Sequence, residues 1–188
     1  MIVATRGEKK SRRDDGKYYS VFIASSDDCD DLRSATKEVF DKVNEDLSPV
    51  SRKFVVFDWK EDNTARKSDG DFQDWVFKNA ENKWRKKKCD IFVMLLWYKF
   101  PKYTLVEYDR YVNKAKNKDN SRLFCCHFGA PVKPTQLAGA KVDQLLRWIS
   151  KNNKDWAEIS PVRGSIENVA YYRECLRSQL YKFLSEKS

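Results

Sequence analysis

Apolar and polar positions along the chain follow two rhythms that take turns. "YYSVFIA" (Tyr18 to Ala24) is a short β-branched and aromatic run, and the polar "SSDDCDD" after it supplies helix N-caps. Leu32, Ala35, Val39, Phe40 and Val43 then recur at helical spacing, so a strand feeds an amphipathic helix. The rhythm repeats. "KFVVFDW" (Lys53 to Trp59) predicts a second strand, "KEDNTARKSDGD" a loop, and Phe72, Trp75, Val76, Ala80 and Trp84 the inward face of a second helix.

The third unit is the most apolar. "CDIFVMLLW" is hydrophobic on both faces, which suits a central parallel strand covered by helices on either side. Leu105, Tyr108, Val112 and Ala115 predict a short third helix, and "RLFCCHF" (Arg122 to Phe128) a fourth strand. Helices follow over Leu137 to Asn152 and around Val169, Tyr172, Leu176, Leu180 and Phe183, with a short fifth strand near "DWAEIS". Strands alternating with helices imply an α/β fold with a parallel sheet of about five strands and right-handed crossovers, in the order 2-1-3-4-5. Ligands of such sheets bind beyond the carboxyl ends of the strands, near the switch between strands 1 and 3. Three loops lie there: "ASSDD", "DWKEDNTARKSDGD" and "WYKFPKYTLVE".

At 188 residues the chain suits one core, and the expected division is a basic lead over 1–17 and a domain over 18–188. Apolar residues make up 41% and charged residues 35%, neither a disordered nor a membrane composition. The longest apolar run, Ile91 to Tyr98, falls far short of the roughly 20 residues that cross a bilayer. The polar, basic start offers no secretory signal, so a cytoplasmic protein with no membrane contact is expected. Five cysteines, an odd number, make no disulfide framework and suggest reduced thiols. A net charge of +9 invites nucleic acid as a partner, but the cations are scattered. "WRKKK" looks like a helix C-terminus, where cations suit the dipole, and a solvated basic surface is the expectation.

Several chemistries drop out of the inventory. The single histidine, His127, ends an apolar strand and reads as a packed or hydrogen-bonded residue. No Cys/His set has metal spacing, and neither a Walker A loop, a G-x-G-x-x-G loop nor a G-x-S-x-G elbow occurs. A carboxylate remains. Glu107 stands three residues after Thr104, the spacing of a capping box, so the two residues suit the start of the third helix. The same glutamate lies beyond a central strand, beside Trp97, Tyr98, Phe100 and Tyr103, whose flat surfaces suit an adenine or nicotinamide ring. Held ionised by the helix dipole, it would stabilise the positive charge of a breaking glycosidic bond.

At these residues the chain resembles the TIR-like domains, specifically the branch of prokaryotic defence proteins. "VFIASSDDCDDLRSATKEVF" looks like that family's first strand, Ser-rich loop and first helix. "CDIFVMLLWYKFPKYTLVEYDRYV" looks like its third strand, loop and glutamate-bearing helix, and "GDFQDWVF" like the start of its second helix. The resemblance covers roughly Tyr18 to Phe128. It implies a flavodoxin-like doubly wound fold and cleavage of NAD to nicotinamide and ADP-ribose, linear or cyclic, in immune or antiphage defence. The family glutamate falls on Glu107. The first-loop positions fall on Ala24, Ser25, Ser26 and Asp27, which would hold ribose or phosphate, and Trp97 and Tyr98 would line the pocket, with Trp59 at the end of the second strand. NAD would be substrate, with no cofactor, and self-association or other TIR-containing or defence-complex subunits would be the partners. The usual "SHS" after the first strand reads "ASS" here, and the usual Ser-x-Trp-Cys context of the glutamate reads "KYTLVE". A non-catalytic adaptor working by homotypic contacts and a deoxyribosyl transferase share the fold and stand as alternatives.

Overall fold

The computed structural model describes residues 18–25, 29–47, 53–62, 72–85, 88–96, 102–113, 122–127, 147, 151, 157–158 and 169–187. Among the described residues the elements in chain order are β1 (Tyr18–Ser25), α1 (Asp30–Leu47), β2 (Lys53–Phe57), α2 (Phe72–Trp84), β3 (Ile91–Leu96), α3 (Lys102–Tyr108), β4 (Arg122–His127), β5 (Ala157–Glu158) and α4 (Val169–Ser185). A π-helical segment, Asp109–Asn113, prolongs α3. No described helix is long and apolar enough to cross a membrane.

The fold is α/β, and its centre is the parallel trio β2-β1-β3. β4 joins β3 on the other side, and among the described residues Ala157–Glu158 lies against it, Phe124 against Ala157 and Cys125 against Glu158. β1 alternates faces, and that alternation builds two cores. Tyr19, Val21 and Ile23 of β1 join Ile91, Val93 and Leu95 of β3 under α1 and α4. Phe22 and Ala24 join Phe92, Met94 and Leu96 under α2 and α3. All six β3 residues are buried, as a strand covered on both faces requires.

Side chains finish what the ladder leaves open. At the amino end of the sheet, the Ser20 amide and hydroxyl each donate to Asp90 Oδ2 at 2.9 Å, and the Asp90 amide donates to the Ser20 carbonyl at 3.0 Å. At the outer strand, Asn44 of α1 clamps Phe54, accepting from its amide at 2.7 Å and donating to its carbonyl at 3.0 Å. Thr36 of α1 and Tyr172 of α4 share a buried hydrogen bond of 2.6 Å.

Candidate functional site

The carboxyl edge of the sheet gathers polar groups that the core beneath would ordinarily reject. Arg33 belongs to the buried face of α1, four residues after Cys29 and seven before Phe40, so its guanidinium is carried inward. Its Nη1 meets Asp58 Oδ1 at 2.8 Å, with both side chains almost wholly buried. Asp58 stands directly after β2, where Phe57 ends the strand. The second Nη group donates to the Ser25 hydroxyl and to the Ser25 carbonyl at 3.5 Å, at the last residue of β1. Nε lies 3.9 Å from the exposed Asp30 carboxylate. One guanidinium thus ties the ends of β1 and β2 to α1, a use that suits its rigid fork of donors.

Asp58 is only partly satisfied. Its Oδ1 also accepts the Lys60 amide at 3.1 Å, forming a tight turn, while its Oδ2 is buried with no hydrogen-bond partner among the described residues. Buried carboxylate oxygens without partners are costly, and Asp90 at the opposite edge shows the satisfied alternative. Above the cluster stands Trp59, half-buried, with the Arg33 guanidinium 5.4 Å and Lys60 Nζ 5.8 Å from its ring centroid. Trp59 meets Phe72 edge-on at 5.4 Å, and Phe72 meets Tyr103 at 6.1 Å, so an aromatic wall runs outward from the cluster.

Glu107 enters from α3, which packs against β1, β3 and α2. The side chain is 3% exposed. Burial pushes its carboxyl from the ordinary 4.5 up to about 8, against the opposing pull of the Arg33 charge and of the Gln73 side-chain amide. Two expectations change here. α3 begins at Lys102, so Thr104 lies inside the helix and is buried, and no capping box exists at Glu107. Glu107 sits near the far end of its helix, too distant from the first turn for the dipole to hold it charged, and burial makes it an acid at neutral pH.

The other expected residues divide. Ala24 is fully buried in the core under α2 and α3 and offers a ligand no side chain. Ser25 is buried and committed to Arg33, and Trp59 keeps a partly exposed face. Ser26, Asp27, Trp97 and Tyr98 lie outside the described residues, as do the lead over 1–17, Ala115 and most of the helix expected over Leu137 to Asn152. Of His127 the backbone alone is described, at the end of β4. Arg33, Asp58 and Gln73 were not expected. Helical spacing was the signal for Arg33, and a buried arginine asks for a buried acid such as Asp58.

No family model and no curated protein matches the chain. Among solved structures, an azoreductase from Bacillus anthracis str. Sterne is similar over 88% of this chain and 96% of its own, at 11% identity and a TM-score of 0.40. RosB with the bound intermediate 8-demethyl-8-formylriboflavin-5'-phosphate is similar over 89% of this chain and 81% of its own, at 14% identity and a TM-score of 0.30. The expected NAD-cleaving defence activity, with NAD as substrate and no cofactor, is corrected at the site itself: it depended on an ionised glutamate, whereas Glu107 is buried and burial raises its carboxyl to about 8.

Proposed function

We propose that the chain is an enzyme domain that holds a flavin-type nucleotide at the carboxyl ends of β1, β2 and β3. The observation that carries this reading is the convergence of Ser25, Arg33, Asp58 and Trp59 at that edge, beside the β1/β3 switch where strand order 2-1-3-4 seats its ligand. The residues fit such a ligand. Asp58 Oδ2 needs a donor, which ribityl hydroxyls or the ring N–H supply. Glu107 in its acid form donates to a ring nitrogen or carbonyl, and Trp59 offers a flat apolar face. A bound flavin would supply the electron chemistry, and the chain would bind it, shield it and manage a proton.

The TIR-like resemblance is retained as a proposal about the descent of the scaffold alone. Of the three segments that carry it, two form β1 with α1 and β3 with α3, whose strands are neighbours in the sheet, and the third opens α2.

Titrating the purified chain into FMN and into riboflavin tests the reading. Saturable quenching of flavin fluorescence is expected, weakened at least tenfold by Trp59→Ala. Absence of saturable quenching with both flavins overturns it.

A further inference from the structure

The ion pair at the carboxyl edge leaves polar atoms over, and they are of complementary kinds. Arg33 Nη1 meets Asp58 Oδ1 at 2.8 Å, with the two side chains 4% and 2% exposed. The Lys60 amide takes the same Oδ1 at 3.1 Å. Asp58 Oδ2, an acceptor, and Arg33 Nε, a donor, are both buried and have no hydrogen-bond partner among the described residues. The exposed Asp30 carboxylate stands 3.9 Å from Nε, beyond hydrogen-bond reach. The Ser25 hydroxyl accepts from the second Nη group and keeps its own proton to give.

At the opposite edge the fold satisfies such a group, since Asp90 Oδ2 accepts both the amide and the hydroxyl of Ser20. An acceptor and two donors at the edge that seats ligands require a partner able both to donate and to accept. Charge narrows the choice. Arg33 and Asp58 are neutral as a pair, so a phosphate would face the carboxylate and an ammonium the guanidinium, each out of reach of water. A hydroxyl carries no charge and both donates and accepts.

We infer that Arg33, Asp58 and Ser25 form a clasp for adjacent hydroxyl groups of the ligand, one giving its proton to Asp58 Oδ2 and a neighbouring oxygen receiving from Arg33 Nε or Ser25. On the flavin reading, on which this inference rests, those hydroxyls belong to the ribityl chain, and the clasp makes the site selective for flavins that carry one. Trp59 lies 5.4 Å from the Arg33 guanidinium, so ring and chain are held by adjoining groups.

Riboflavin and lumiflavin, which has a methyl group where riboflavin has its ribityl chain, separate the two contacts. Titrations of the full chain followed by flavin fluorescence should give riboflavin an affinity about tenfold or more above that of lumiflavin, the scale of a hydrogen bond to a charged group. Asp58→Asn keeps the size but turns the accepting oxygen into a donating amide. It should lower riboflavin affinity about tenfold and leave lumiflavin within about twofold. An unchanged riboflavin affinity overturns the inference, and so does a parallel loss for both flavins, which would mean that Asp58 only supports the fold. Should Asp58→Asn fail to fold, the double variant Arg33→Gln with Asp58→Asn, which leaves no lone buried charge, carries the same expectation. Equal wild-type affinities, as when a water alone meets Asp58 Oδ2, overturn the clasp and leave the flavin reading standing. No saturable quenching by either flavin removes that reading and the clasp with it.

Discussion

The Glu107 carboxyl is raised to about 8 because its helix delivers it into a site with too little water to solvate a charge. The sign of its effect on stability follows. The folded value, about 8, lies above the ordinary 4.5, so the fold favours the protonated form. Its contribution is complete below 4.5 and is lost as pH rises through about 8, at about 1.4 kcal/mol per pH unit within that window. Glu107→Gln keeps the size without the titration, so urea midpoints measured across that window should fall in the wild type and stay nearly level in the variant. Parallel slopes would mean that Glu107 titrates as it does in the unfolded chain. How much of the site could be read from sequence differs residue by residue. The placement of Glu107 beside a central strand was legible, but its ionisation was not, because burial depends on packing that spacing alone leaves open. Arg33 was legible in principle from its phase with Cys29 and Phe40, and was obscured because charged residues are usually solvated.

Helix phase shows the same mixture. In α1 every residue expected inward is buried, and Arg33 and Thr36 widen that face. In α2 the expected stripe is rotated, with Gln73 and Phe77 buried while Phe72 and Trp75 are only partly covered and face the aromatic wall. In α3 the buried face is Thr104, Glu107 and Tyr108, with Tyr111 following in the π-helical segment, and Leu105 is only partly buried. Tyr108 was expected inward and is buried, while Thr104, Glu107 and Tyr111 fill the other inward positions, which the apolar spacing did not mark. α2 ends on a strained residue: Arg85 adopts φ 52°, where a Cβ is unfavourable, and its amide donates to the Asn82 carbonyl at 3.1 Å. Arg85→Gly should therefore raise stability by about 0.5 to 1 kcal/mol, read as a higher thermal midpoint. A lower midpoint would show that the arginine side chain contributes more than its backbone strain costs.

Among the described residues the sheet separates two cores, and the aromatic wall of the site, Trp59 and Phe72, packs against the one under α2 and α3. Leu176 of α4 is fully buried in the core shared with α1, remote from Trp59 and its aromatic wall. Leu176→Ala should cost about 2 to 5 kcal/mol in chemical denaturation, as a cavity that the neighbours fill only in part. Flavin affinity of the folded fraction should stay within about twofold, because distant sites act independently. The central strands were readable from the apolar runs "YYSVFIA", "KFVVF" and "IFVMLL", and their order from the commonness of this doubly wound arrangement. The partner of Ala157–Glu158 was not, since that pairing with β4 rests on a contact far along the chain and not on local pattern. The clamp of Asn44 on Phe54 has a further consequence for this sheet. β2 is its outer strand, and an open outer strand is a template on which another chain can polymerise. With the Phe54 amide and carbonyl already engaged, an incoming strand must first break two hydrogen bonds, so the side chain of one helix residue guards the protein against edge-to-edge aggregation.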